Sequence, residues 1–230
     1  MADEQVLVIT GASTGIGAAT ARRAVDFGYR IVLAARSEDK LEALAEELGG
    51  PDKAIAVRCD VTSWDDQQAL VKTALDRFGR MDVMFANAGF GAKRGFLEES
   101  VEHWKAMIDT NVLGAALSIR AALAHFKEQD AGHMVLTSSV AGRRSLPGSL
   151  YSATKFAVTA MGHALRSEIA DSPIKVTLIE PGAVDTPFFE SGPDYMLEAD
   201  DVARAVLFSL TQPPHVDVNE ILLRPINQPG

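Results

Sequence analysis

QVLVITGASTGIGAATARRAVDFG, residues 5–28, joins an apolar run to a glycine-rich turn and then to a segment of helical character. The run over 5–10 has the continuous apolar character of a strand buried on both faces. In the turn, Gly11, Gly15 and Gly17 are spaced Gly-x3-Gly-x-Gly, with Ser13 and Ile16 between them. A backbone without Cβ turns tightly and comes close to a pyrophosphate. A helix over 15–28 would add free N–H groups and the positive end of its dipole. The spacing is not the G-x-G-x-x-G of many dinucleotide sites, so taken alone it also fits a tight turn that holds nothing.

The alternation continues outward from this stretch. Strands are expected at 30–35 (RIVLAA), 54–59, 81–86, 132–138, 174–180 and 219–224. Helices are expected at 37–48, 64–79, 101–129, 151–170 and 199–211. Leu41, Leu44 and Leu48 share one face of the second helix, and its acids form the solvated face. Strict strand–helix alternation with apolar strands implies a parallel sheet of about seven strands, doubly wound, with helices on both faces and right-handed crossovers. Gly192-Pro193 and Pro213-Pro214 read as loop punctuation, so residues 1–230 are expected to form one domain.

Composition narrows the function. The chain has 230 residues, 47% apolar and 23% charged, which excludes a disordered chain, a coiled coil and a collagen-like repeat. No run of 18 apolar residues is present, so no transmembrane helix is expected. Two acids at the start, Asp3 and Glu4, do not suit a signal peptide, and a cytoplasmic location is the expectation. Cys59 is the only cysteine, which excludes an internal disulfide framework and a multi-cysteine metal site. None of the five histidines has metal-ligand spacing, and no metal is expected. The net charge, 22 − 31 = −9, suits neither general nucleic-acid binding nor an anionic membrane surface.

The ends of the apolar strands carry the chemistry. Arg36 follows the second strand, with Ala35 in the place where an acid would hold the 2′-hydroxyl of NAD; a guanidinium there suits the 2′-phosphate of NADP. Asp60 and Val61 follow the third strand, and the Asp60 carboxylate can accept from an adenine amino group. Asn87, Ala88 and Gly89 follow the fourth and leave room for a ligand across the sheet edge. Tyr151 and Lys155 lie one helical turn apart on one face. An ammonium beside a phenol favours the phenolate, and a tyrosine so tuned can exchange a proton with a carbonyl or alcohol oxygen. Ser138 and Ser139 end the fifth strand, where a hydroxyl can hydrogen-bond the same oxygen.

In this order, Thr10-Gly11-x3-Gly15-Ile16-Gly17, Asp60-Val61, Asn87-Ala88-Gly89, Asn111, Ser139, Tyr151-x3-Lys155 and Pro181-Gly182 with Thr186 resemble the short-chain dehydrogenase/reductases over essentially the whole chain. The resemblance is to their compact branch, with a Rossmann-type fold. The tail over 216–225 looks like the NADP-dependent 3-hydroxy-acid dehydrogenases and carbonyl reductases. The resemblance implies NADP(H) as cofactor and a small carbonyl or alcohol compound as substrate. Tyr151 would be the acid/base. Lys155 would bind the nicotinamide ribose and lower the tyrosine pKa. Ser139 would orient the substrate oxygen, and Asn111 would hold a water in a relay to Lys155. Pro181, Gly182, Val184 and Thr186 would border the nicotinamide. The spacing from Ser139 to Tyr151 is one position short of the family's usual value, and Ser138 would restore it; Ser139 is preferred because Val140-Ala141-Gly142 follows it as in the family.

Other readings stay open at this stage. Asn111 also suits a helix-interior kink, and Thr186 with Pro187 suits a helix start. Arg143 and Arg144 follow the serine turn, where either would meet a substrate carboxylate or face solvent. Phe90, Phe96, Phe188 and Phe189 are candidate walls of the pocket. The short stretch from 187 to about 198 implies an open pocket or one completed by a partner subunit. Family members usually pair through their two long helices, so a homodimer or homotetramer is expected. A non-catalytic NADP(H)-binding regulator or scaffold is the alternative function on this fold. An epimerase or dehydratase would usually need a longer C-terminal substrate region.

Overall fold

The computed structural model describes residues 4–189 and 192–228. Strands β1 (Val6–Thr10), β2 (Arg30–Ala35), β3 (Ala54–Arg58), β4 (Val83–Ala86), β5 (His133–Thr137), β6 (Lys175–Pro181) and β9 (Glu220–Leu223) form one sheet. Its order is β3-β2-β1-β4-β5-β6-β9 and every pairing is parallel. From β1 the chain first winds one way to β2 and β3, then crosses to β4 and continues the other way. The reversal between β1 and β4 opens a crevice at the carboxyl ends of the strands, where open α/β sheets bind ligands.

Alternate residues of each strand face opposite layers. Val6 and Val8 of β1 point towards α3 (Trp64–Phe78), α5 (Ala115–Gln129) and α6 (Leu150–Glu168), in one core with Leu70, Phe126 and Val158. Leu7 and Ile9 point towards α1 (Gly15–Asp26), α2 (Glu38–Glu47) and α7 (Ala199–Leu210), in a second core with Leu41 and Val206. The sheet is therefore doubly wound, as its apolar strands imply. The helix starts are set locally. Ser63 of α3, Ser100 of α4 (Val101–Ile108) and Ser149 of α6 each accept a hydrogen bond from the backbone N–H three residues on.

The expected helix over 101–129 is not uniform. A π-helical segment, Asp109–Gly114, separates α4 from α5. The buried Asn111 lies in it and explains the distortion. Its Oδ1 accepts from the Phe90 N–H at 3.0 Å, and its Nδ2 donates to the Phe90 carbonyl at 2.9 Å and to Thr154 Oγ1 at 3.1 Å. By length and composition alone, 101–129 could cross a membrane. Here Met107, Ala115, Ala122 and Phe126 bury its inner face.

A small ladder, β7 (Val184–Asp185) with β8 (Leu197–Glu198), has no counterpart in the expected strands. It ties the residues just after β6 to those just before α7. Two residues carry too weak a periodicity to be read from sequence.

Candidate active site

A cleft of about 510 Å³ runs along the carboxyl ends of β3 through β6. At one end, Ser13, Gly15 and Ile16 line it with the start of α1. Gly11 and Gly15 have φ of +66° and +56°, in the left-handed region that disfavours a side chain. A Cβ on Gly17 would overlap the Gly11 carbonyl. Thr14, the residue before α1, makes no side-chain cap, so the first N–H groups of the helix face the cleft without that partner. This cradle fits a pyrophosphate.

Arg36 and Asp60 lie beyond it, at the ends of β2 and β3. Asp60 Oδ1 accepts from Thr62 N at 3.0 Å and Thr62 Oγ1 at 2.8 Å. These bonds hold its carboxyl below the ordinary range, with the Arg36 and Arg58 charges adding to the effect. Asn87 lines the cleft, but its side chain is a latch. It donates to the Thr10 carbonyl at 3.1 Å and accepts from Thr137 Oγ1 at 3.0 Å, tying β4 to the ends of β1 and β5.

Past Ala88 and Gly89 the cleft continues over the end of β5 and the start of α6. Tyr151 and Ser139 are hydrogen-bonded through their side chains. Ser139 Oγ also accepts from Ala141 N at 3.1 Å and lies 3.3 Å from the Pro181 carbonyl. Ser138 Oγ faces away from Tyr151, towards the Lys155 carbonyl at 3.1 Å and Thr159 Oγ1 at 2.7 Å. Of the two serines, Ser139 is thus the one paired with the phenol.

Lys155 is buried, donates to the Thr137 carbonyl at 2.7 Å and sits 5.7 Å from the centre of the Tyr151 ring. Burial brings its pKa down to about 8. Burial also raises the Tyr151 pKa, against a smaller lowering by the Ser139 hydrogen bond. This corrects the expectation of a phenol lowered by Lys155. Desolvation acts on each group separately, and Lys155 contributes no lowering to the phenol. Asn111 has its side chain committed to Phe90 and Thr154, and the Cβ that Gly89 lacks would lie 3.1 Å from Asn111 Oδ1 and 3.7 Å from Lys155 Nζ, so the glycine leaves room next to both.

The sequence profile described as short chain dehydrogenase matches residues 5–194. The chain belongs to the short-chain dehydrogenase family. It is an oxidoreductase of that family. An uncharacterized oxidoreductase of Staphylococcus haemolyticus is 41% identical over 226 residues, 96% of this chain and 97% of its own. An alcohol dehydrogenase from the archaeon Thermococcus sibiricus, solved with 5-hydroxy-NADP, superposes with a TM-score of 0.91 at 35% identity over 99% of both chains. Serine dehydrogenase from Escherichia coli superposes with a TM-score of 0.90 at 30% identity over 98% of this chain and 100% of its own.

The substrate side of this short-chain dehydrogenase departs more from expectation. Phe90, Phe188 and Phe189 wall the cleft, and the Phe188 ring meets Tyr151 edge-on at 5.5 Å. Phe96 does not line it and packs on Trp104 at 6.1 Å. Arg143 is turned away from it. Its Nε donates to both oxygens of the buried Glu180 at 2.7 and 2.8 Å, and it also pairs with Glu220. Arg144 is exposed and does not line the cleft. A substrate carboxylate therefore has no partner in the arginine pair, because a fully buried Glu180 claims the first guanidinium. Thr186 starts no helix among the described residues; its Oγ1 accepts from Phe188 N at 3.3 Å in a turn.

Among the lining residues that the sequence reading did not propose are Arg94, Leu146, Tyr195 and Gln228. Gln228 Oε1 accepts from Ala183 N at 3.0 Å, which brings the C-terminal tail onto the loop beside Pro181, Gly182 and Val184. Nothing in the local pattern of the tail signals that return.

Proposed function

We propose that the protein is an NADP(H)-dependent carbonyl reductase and alcohol dehydrogenase, acting on a ketone or a 3-hydroxy acid. The observation that carries the proposal is the Ser139–Tyr151 side-chain hydrogen bond at one end of a cleft whose other end is a glycine cradle with Arg36 beyond it. When bound, the nicotinamide supplies or accepts the hydride. Gly11, Ser13, Gly15, Ile16 and Gly17 would hold the pyrophosphate, and Asp60 and Val61 would border the adenine. Ala88, Gly89, Pro181, Gly182, Val184 and Thr186 would border the nicotinamide half.

Ser139 and Tyr151 both line the cleft, and a substrate oxygen placed between their hydroxyls would accept two hydrogen bonds. As the carbonyl carbon is reduced, negative charge develops on that oxygen, and Tyr151 delivers its proton there. A phenol that burial keeps protonated suits this direction. Lys155 supplies a positive charge and a donor beside the phenol. Asn111 fixes the Phe90 backbone above the same site. The phenylalanine wall excludes water from the reacting carbon.

Arg36, at the end of β2 with no acid in the Ala35 position, supports NADP(H) over NAD(H). The reading also takes 1–230 as one cytoplasmic unit that assembles as a homodimer or homotetramer. Val101, Ile108, Leu113 and Phe156, exposed on the two long helices, support the assembly. The test is oxidation of NADPH and of NADH with ethyl acetoacetate, 2,3-hexanedione and 4-acetylbenzoate methyl ester. Turnover that depends on Tyr151 is expected. Tight nucleotide binding with no turnover of any carbonyl would leave a binding module instead.

A further inference from the structure

We propose that Arg94 anchors a carboxylate on the substrate, so that the substrate class is a keto acid or hydroxy acid whose acid group lies across an apolar body from the reacting carbon. The proposal rests on the reading of the cleft as a carbonyl-reducing site. Its starting point is the charge inventory of the cleft. Two arginines line it, Arg36 at the nucleotide end and Arg94 at the mouth of the substrate end. Asp60 is the one acid among the described residues that line it, and it lies at the nucleotide end. Arg22, Arg23, Arg30, Arg143 and Arg204 are each tied to a carboxylate of the protein. Arg94 has no hydrogen-bond or ion-pair partner among the described residues. Near it, Glu99 is committed to the N–H groups of Ser100 and Lys93.

The position of Arg94 is built rather than incidental. The next residue, Gly95, donates its N–H to the Gly148 carbonyl at 2.8 Å. Gly95 and Gly148 have φ of +109° and +61°. A Cβ on Gly148 would come within 2.7 Å of Gly95 N. Two glycines thus clamp the Arg94 loop against the turn that leads into Ser149 and Tyr151. Phe90, Leu146, Phe188 and Phe189 line the cleft with Arg94 and Tyr151, and the Phe188 ring meets Tyr151 at 5.5 Å. A planar guanidinium at the rim offers two parallel donors to a carboxylate. Lys93 precedes it in the chain but does not line the cleft, and Lys155 lies beside the phenol, so a single guanidinium at the rim faces the ligand, which favours a singly charged carboxylate over a phosphate.

The probes are 4-acetylbenzoate and 5-oxohexanoate, each against its methyl ester. Binding is measured by calorimetry to the enzyme loaded with NADP+, for the wild type, R94L and R94K. Steady-state reduction of the same compounds with NADPH follows. R94L is expected to weaken acid binding about tenfold and to raise KM to match, with kcat kept. The esters should change less than twofold, and R94K should fall between. Acid and ester affected alike, no effect of R94L, or no binding of either acid to the wild type overturns the anchor. Stronger Arg94-dependent binding of 4-acetylphenyl phosphate than of 4-acetylbenzoate overturns the carboxylate. The two readings fail separately. Tyr151-dependent reduction of the esters with R94L indifferent removes only the anchor. Arg94-dependent acid binding with no turnover removes only the reductase.

Discussion

The two ends of the cleft are built from different material. The end proposed to take the nucleotide is backbone: Gly11, Gly15 and Gly17 with the first turn of α1 and the ends of β2 and β3. The substrate end is side chains on loops: Phe90, Arg94, Leu146, Phe188 and Phe189, none within a sheet strand. Backbone geometry at a strand end follows from local sequence, because a glycine with positive φ has few other uses. Side chains on loops reach wherever their partners are, and those partners are distant in sequence. The nucleotide end therefore asks what fits the turn; the substrate end asks which group each long side chain has already found.

Tyr151 stands where the two ends meet, and its removal should have the largest effect. Tyr151→Phe keeps the ring against Phe188 and deletes the hydroxyl bonded to Ser139. We expect kcat to fall roughly 10²–10⁴-fold with cofactor affinity nearly unchanged. Near wild-type turnover of an assayed ketone would remove the mechanism. Ser138→Ala should cost far less activity than Ser139→Ala, since Ser138 Oγ serves Lys155 O and Thr159 inside the fold.

The same contrast governs what could be read beforehand. The doubly wound parallel sheet and the glycine turn were legible, because apolar runs and glycine spacing are local signals. A kink at Asn111 was open as one reading of that residue, but its partner was not legible, because Phe90 lies twenty-one positions earlier. The pKa of Tyr151 was misjudged for a related reason. The i, i+4 spacing puts Lys155 near the ring, but sequence does not show how deeply both groups are buried, and burial penalises the charged form of each. Arg143 was legible as an arginine near the pocket and not as the partner of Glu180 and Glu220, thirty-seven and seventy-seven positions later.

Arg143 and Arg94 give the next test. Arg143→Met leaves the fully buried Glu180 without its cation. Removing one partner of a buried pair costs about 3–5 kcal/mol; with the Arg143 side chain 34% exposed, about 2–4 kcal/mol is expected. Adding Glu180→Gln should recover part of it. R94L should leave urea unfolding within about 0.5 kcal/mol of wild type. Equal stability of the two arginine variants would break the distinction between a structural and a ligand-facing guanidinium.

Glycines sharpen the comparison further. Gly17→Ala drives a methyl into the Gly11 carbonyl, and Gly148→Ala places one against Gly95 at a positive φ. Each should cost about 1–3 kcal/mol of stability. The functional losses should part: nucleotide affinity for Gly17→Ala, KM for a carboxylated ketone for Gly148→Ala. Fluorescence titration with NADPH and steady-state kinetics separate them, and a shared loss would mean that the two ends are not independent.

The smallest effect is at the far end of the nucleotide half. Arg36 follows β2, lines the cleft and lies close enough to Asp60 for its charge to help hold that carboxyl low. A 2′-phosphate brought there meets one guanidinium and no carboxylate at position 35. Arg36 is exposed, so screening by water and salt limits its contribution. A preference of about tenfold in kcat/KM for NADPH over NADH, about 1.4 kcal/mol, is the scale to expect. The preference should shrink as salt rises from 20 to 500 mM, because a phosphate contact at an exposed site is screened and a buried hydroxyl contact is not. Ala35→Asp with Arg36→Ile puts an acceptor where the 2′-hydroxyl would lie and removes the cation, so it should reverse the preference while kcat with the better cofactor stays within a few fold. Equal use of both cofactors by the wild type, insensitive to salt, would place Arg36 among the solvated surface arginines and leave the choice of cofactor to residues that the end of β2 does not contain.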